Sequence, residues 1–278
     1  MMMPHQRLVA PRRAAQHGAS LIELMVGMTV GMFVVLAAVG AMLTTRQGSA
    51  TTADSYRIQQ AGATAMRLIG ASIRQAGSAE LIQVGGANTG VQFGNLGQRA
   101  AGGASDQLVS GTDGGGANPD TLIVSYQHRV VAGVDAGVTR DCLGNSPGNA
   151  AVRIDNTFAV TQVELRCTGS VNPAAPQALV GDNTRPNADV AVEDFQAWYW
   201  VEPVLVPGSQ QRVTAAGVAG LGGWGQVRAV EVCLQLRGTR ADYPVGGQFT
   251  NCQGAQVNLD GRLHQTFSGT YMIRNATI

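Results

Sequence analysis

The hydrophobic pattern divides the chain into three regimes. No charge occurs from Leu24 to Thr45, and the apolar run from Leu24 to Leu43 is 20 residues long, about 30 Å as a helix and enough to span the hydrocarbon of a bilayer. Beyond it, Tyr56, Ile58, Ala61, Ala65, Leu68, Ile69 and Ile73 recur at helical spacing, with Arg57, Gln60, Arg67 and Arg74 between them. That is the pattern of an amphipathic helix, and Gly77 is its stop signal. Together the two stretches predict one helix from about Ser20 to Ala76, roughly 85 Å long, half in lipid and half packed on a globular domain.

From Ser78 onward, short apolar runs alternate with Gly, Asn, Asp and Pro. They predict strands at Thr121 to Gln127, Val160 to Cys167, Val190 to Val201, Val227 to Leu236 and Gln265 to Arg274. The stretches 85–118 and 205–225 are too rich in Gly and Ala to assign. An antiparallel sheet against the second half of the helix is the economical arrangement, which makes the fold class α+β.

One residue breaks the apolar segment near its start. Glu23 is an acid just inside a membrane-length helix, and such a charge costs about 2.5 to 3.5 kcal/mol even on the lenient insertion scale. It calls for a partner. No Asp or Glu precedes it, while Arg7, Arg12 and Arg13 lead to a small-residue junction at His17-Gly18-Ala19. An ordinary secretory signal is cut after its apolar segment. Cleavage after Gly18 would instead keep the apolar helix and create an α-amine on Ala19, four residues from Glu23. A Sec signal cut near Ala38-Val39-Gly40-Ala41 leaves Glu23 unexplained, and so does a plain anchor. A twin-arginine signal does not fit, because Ala14-Ala15-Gln16-His17 follow Arg12-Arg13 in place of an apolar pair.

Gly18 followed by Ser20-Leu21-Ile22-Glu23-Leu24 resembles the class III signal of type IV prepilins and pseudopilins. The resemblance implies a prepilin peptidase that cleaves between Gly18 and Ala19, N-methylation of Ala19, and a role for Glu23 in filament assembly. Ala19 departs from the family, which more often has Phe or Met there. A narrower resemblance, to PilW-type minor pilins, is carried by Ile73-Arg74-Gln75-Ala76-Gly77, by Asp120 to Tyr126, by Val227 to Leu234, and by Asp260-Gly261-Arg262 through Phe267 to Asn275. It implies a type IV pilin fold with a cleaved leader (1–18), a transmembrane half-helix (19–45), an amphipathic half-helix (46–77) and a periplasmic β-rich domain (78–278). The implied function is that of a minor pilin in the initiation or priming complex of a type IV pilus, or at its tip. Its partners would be other minor pilins, the major pilin, the prepilin peptidase, the inner-membrane assembly platform and membrane lipid. Alternatives are a J-type pseudopilin of type II secretion and, from another class, a periplasmic enzyme on a signal anchor.

Charge and cysteine content sharpen this picture. All 19 basic residues are Arg; without the three in the leader, 16 face 18 acids, a net charge of −2. No basic footprint for nucleic acid is present. The leader arginines place the N-terminus in the cytoplasm, so the chain beyond Thr45 is expected across the inner membrane in an oxidising compartment. Cys142, Cys167, Cys233 and Cys252 all lie there, as suits two disulfides. Of three pairings, Cys142 with Cys167 and Cys233 with Cys252 is preferred; each closes a short loop. No C-x-x-C pair favours zinc.

Candidate chemistry is thin. Gly144-Asn145-Ser146-Pro147-Gly148 fits G-x-S-x-G, but Pro147 lacks the N–H that the oxyanion hole requires. Gly220 to Gly225 fits G-x-G-x-x-G, yet a strand rather than a helix follows. Asp113 and Asp120 flank a Gly-rich stretch without the bidentate Glu of a calcium loop. His128 and His264 lie in no catalytic spacing. Phe195, Trp198, Tyr199 and Trp200 form an aromatic cluster, half of which strand alternation buries. No catalytic, cofactor-binding or metal-ligating residue is assigned, and no cofactor is expected.

Overall fold

The computed structural model describes residues 20–79, 81–84, 90–93, 107–116, 118–127, 139–147, 152–173, 175–181, 190–241, 243 and 245–274. The chain divides into two compact units, Met1–Thr51 and Thr52–Ile278. Helix α1, Leu21–Gln75, contributes to both. In the first unit it is the described structure. In the second its residues Ile58, Ala65, Ile69 and Ile73 are fully buried in the core, at the spacing the sequence predicts.

The helix ends where a left-handed residue becomes necessary. Gly77 has φ +73°, a conformation glycine adopts without the Cβ penalty. Its N–H donates to Ser125 O at 2.9 Å, and Gln127 N–H donates to Ser78 O at 2.8 Å. The chain is thereby handed directly from helix to sheet.

Two sheets form the core of the second unit. After a hairpin of β1 (Leu81–Val84) and β2 (Gly90–Phe93) come β3 (Val109–Thr112), β4 (Thr121–Gln127), β5 (Arg153–Thr161), β6 (Glu164–Gly169) and β7 (Gln177–Val180), paired antiparallel in that order. The second sheet is built from β8 (Val190–Val201), β9 (Gln211–Val213), β10 (Val227–Gly238) and β13 (His264–Met272), in the order β13-β10-β8-β9. Between β9 and β10 lies the one-turn helix α2 (Ala215–Val218), and between β10 and β13 the hairpin β11 (Gln248–Thr250) and β12 (Gln256–Asn258). This is the α+β class the pattern implies: a long apolar N-terminal helix with antiparallel sheets.

One expected strand is wrong. Val160 to Cys167 is not a single strand but the turn of the β5–β6 hairpin, where Thr161 pairs with Glu164. Gln162 at φ +58° makes the turn. Two-residue hairpins favour Asn, Asp or Gly in that conformation, and a Gln-Val pair gives no such signal. Elsewhere β10 runs two residues beyond the expected Leu236, and β13 starts at His264 and ends two residues before Arg274.

The sheets meet at β8. Its edge is paired by β9 only over Tyr199 to Val201. Below that, Val192 N–H donates to Val163 O at 2.8 Å and Ala197 N–H to Asp120 Oδ2 at 2.9 Å, while Phe195 O accepts from Asp120 N–H at 2.7 Å. The other Asp120 oxygen accepts from Gly114 N–H at 2.9 Å. A buried carboxylate filled with backbone donors is satisfied; its pKa is nevertheless raised, burial outweighing those bonds.

Helix and second sheet lock through two glycines. A Cβ at Gly62 would lie 2.4 Å from the Phe267 ring and one at Gly70 would lie 2.2 Å from the Tyr271 ring. Tyr271 Oη donates to Met66 O at 3.0 Å. Two aromatic rings of β13 therefore sit in notches on α1 that only glycine leaves open.

Candidate functional site

The described part of the first unit is an apolar helix on which no other described residue is packed. Its side chains from Leu21 to Leu43 are solvent-facing, Leu21 at 78% and Phe33 at 73%. An 18-residue window has mean hydropathy 2.3 and no buried share. Water does not tolerate such a surface uncovered, whereas a bilayer or neighbouring apolar helices do. The polar groups within it are already satisfied: Thr29 Oγ1 donates to Val26 O, and Thr44 and Thr45 Oγ1 donate to Ala41 O, at 2.8 to 2.9 Å. Intrahelical partners of this kind are what hydrocarbon demands.

Glu23 lies in the first turn, and its N–H donates to Ser20 O at 3.0 Å, with Leu24 N–H on the same carbonyl at 3.1 Å. The side chain is exposed. An acid at a helix N-terminus is favoured by the unpaired N–H groups there, but that does not neutralise it in lipid. Gly27, Gly31 and Gly40 would each accept a Cβ without meeting any other atom within 4 Å. Among the described residues none requires their smallness; close approach of another helix would use it.

Gly18 and Ala19, the expected cleavage and methylation site, lie outside the described residues, as do His17, the leader and His128. The cysteines are joined as Cys142 to Cys167, with Cα atoms 6.5 Å apart, and Cys233 to Cys252, at 5.7 Å. Both link segments of the second unit. Gly144 to Pro147 form a loop in which Asp141 Oδ1 accepts from Leu143 and Asn145 N–H groups. The glycine-rich run at 220–225 ends in a 3-10 turn that leads into β10.

Asp113 and Asp120 are not brought together on a shared ligand. Asp113 accepts from Ala215 and Ala216 N–H at 2.8 and 2.9 Å, so both acids bind backbone. The aromatic cluster splits as strand alternation requires. Phe195 and Tyr199 are fully buried, and Trp224 packs edge-on to Tyr199 at 4.8 Å. Trp198 and Trp200 point the other way, and the Arg212 guanidinium lies 4.0 Å over the Trp198 ring while also pairing with Glu231 at 2.9 Å. That arginine was not singled out by sequence, since partners from three strands carry no linear signature.

The prokaryotic N-terminal methylation motif matches residues 13–39, a stretch that contains Gly18, Ala19, Glu23 and most of the apolar run. Among solved structures, the chain is similar to a type IV-like pilin from Thermus thermophilus at 16% identity, over 62% of this chain and 84% of that one, with a TM-score of 0.38. No curated protein matches the sequence.

Proposed function

We propose that this type IV pilin-like protein is a minor pilin that helps to initiate or cap a type IV pilus, working by helix packing and not by turnover. The observation that carries the reading is the methylation motif over residues 13–39 on an apolar helix that no other described residue covers. A membrane anchor would explain the apolar surface alone. It would not explain an acid at position 23 preceded by a basic leader.

In this reading the prepilin peptidase cuts between Gly18 and Ala19 and methylates the new terminus. The leader side faces the cytoplasm, and the β domain, with its two disulfides, stands in the periplasm. In the membrane an unpaired Glu23 carboxylate is costly. On assembly its carboxylate pairs with the α-amine of Ala19 in a neighbouring subunit. The pair fixes axial register, because an ion pair in low dielectric is far more sensitive to geometry than apolar side chains sliding past one another. Other minor pilins, the major pilin and the inner-membrane platform are the partners.

A J-type pseudopilin shares every one of these features. The globular part beyond residue 77, about 200 residues long, supports the pilus reading. A strain lacking the protein separates the two: loss of surface pili and twitching supports a minor pilin, whereas intact pili with loss of secreted enzymes supports type II secretion.

A further inference from the structure

From Gln265 to Ile273 the chain carries no charge and no proline. That composition suits an inner strand, since sheet edges are ordinarily blunted by charges, proline or a cover. Yet β13 is the outermost strand of its sheet, in the order β13-β10-β8-β9. Ser268 and Thr270 are exposed, and Met272 is 68% exposed.

The ladder with β10 leaves alternate backbone groups over. Met272 is opposite Ala229 and Gly269 opposite Val232, and just past the strand Ile273 N–H donates to Arg228 O at 2.9 Å. In an antiparallel pair, residues bonded to the partner strand alternate with residues whose N–H and C=O turn the other way. Tyr271, Gly269 and Phe267 therefore bond to β10, while Met272, Thr270 and Ser268 offer their groups to the open side. Further back the edge is covered, where Thr266 Oγ1 donates to Thr250 O of β11 at 3.3 Å. From Ser268 to Met272 no described residue takes the outward groups.

Helix α1 forms the floor of this edge. The Phe267 and Tyr271 rings sit against Gly62 and Gly70, and the Arg74 guanidinium lies 5.5 Å from the centre of the Tyr271 ring. Arg67, a heptad earlier, shares that side of the helix and is exposed. Neither arginine is ion-paired among the described residues. Beyond Glu23 the only acid in α1 is Asp54, which is buried. A strand laid on the open side would run about 4.8 Å beyond β13, and its helix-facing side chains would reach Arg67 and Arg74. Carboxylates at those positions complement the two cations. A second copy's β13, which has no acid and brings its own Arg67 and Arg74, would set arginine against arginine.

We propose that Ser268 to Met272 is a strand-addition site for an extended segment of a different protein that carries Asp or Glu at alternate positions. Backbone pairing with Ser268, Thr270 and Met272 supplies affinity, and Arg67 and Arg74 select the acidic side chains.

Amide exchange of the full-length protein in detergent micelles, resolved to single residues by electron-transfer fragmentation, tests this. The probe is a synthetic peptide of alternating threonine and glutamate, with a twin in which lysine replaces glutamate. The glutamate peptide should slow exchange at Ser268, Thr270 and Met272 saturably and leave Phe267, Gly269 and Tyr271, already bonded to β10, as they were. The lysine twin should bind about tenfold more weakly or worse. Thr270→Pro removes an outward N–H without touching the ladder, and should weaken binding, read at Ser268 and Met272, about tenfold or more. Arg67→Glu combined with Arg74→Glu should reverse the preference between the two peptides. No saturable slowing in the wild type, equal binding of both peptides, undiminished binding by Thr270→Pro, or an unreversed preference in the double variant would each overturn the proposal. So would slow exchange at Ser268, Thr270 and Met272 before any peptide is added, the sign of an edge already filled by this chain or by a second copy.

Discussion

Replacing Gly70 by alanine should destabilise the protein, against the ordinary expectation for a helix. In an exposed helix interior, Gly to Ala gains about 1 kcal/mol. Here the new Cβ would lie 2.2 Å from a carbon of the Tyr271 ring, where an unstrained contact needs about 3.5 Å or more. The ring must retreat by more than about 1 Å, since it is bracketed by Arg74 and bonded through its hydroxyl to Met66 O. Overpacking of this kind costs about 1 to 3 kcal/mol, and losing the hydroxyl bond adds about 1 kcal/mol. The net expectation is a loss of about 1 to 3 kcal/mol. In a Tyr271→Ala background the conflict is gone, and the same Gly70→Ala change should instead stabilise by about 1 kcal/mol. Urea unfolding in detergent, followed by fluorescence of Trp198, Trp200 and Trp224 in the β domain, measures all four corners of the cycle. The same sign in both backgrounds would refute the notch as the reason for the glycine.

Replacing Cys233 and Cys252 together by alanine should lower stability by roughly 3 kcal/mol in the chain-entropy model, measured by the same unfolding; four free thiols on non-reducing peptide mapping of the wild type would contradict both pairings. Stability should also fall on acidification. Asp260 is held low by His264 and Glu202 by the Gly208 N–H and Arg228, so each contributes stability present above the usual carboxylate range and lost as pH falls through its own lower value. Asp120, raised by burial, acts in the opposite sense, its contribution being lost as pH rises, so Asp260→Asn should flatten the acid limb of the urea midpoint between about pH 5 and pH 2. Glu23→Ala and Glu23→Gln should both insert and be cleaved normally but join minor-pilin complexes poorly in co-purification. Wild-type incorporation of both would remove the role assigned to that carboxylate.

How much of this was legible follows from what kind of signal each element carries. Helix α1 was readable because two periodicities, one uniformly apolar and one amphipathic, run without Pro to Gly77, whose positive φ is the physical form of the stop signal. Strands β4 and β8 were read at their observed limits because Pro119-Asp120 precede β4 and Asp189 and Pro203 flank β8. The β5–β6 turn was not, since Gln162 adopts a conformation its side chain does not advertise. Gly62 and Gly70 are eight residues apart on the buried face, a signal present in sequence but indistinguishable from helix-weakening glycines until the rings of β13 are seen. His264 of β13 lies 2.8 Å from Glu193 of β8, 71 residues away in the chain, a separation that no local pattern encodes. Glu23 was the opposite case: a charge where hydropathy forbids one is conspicuous before any coordinates exist.

Intact mass and N-terminal sequencing of the protein extracted from its native membrane test the central claim most directly. The account predicts a mature chain that begins at Ala19 with a single methyl group on its α-amine, every residue of the apolar helix retained. A terminus near Ala41, or an uncut Met1, would contradict it.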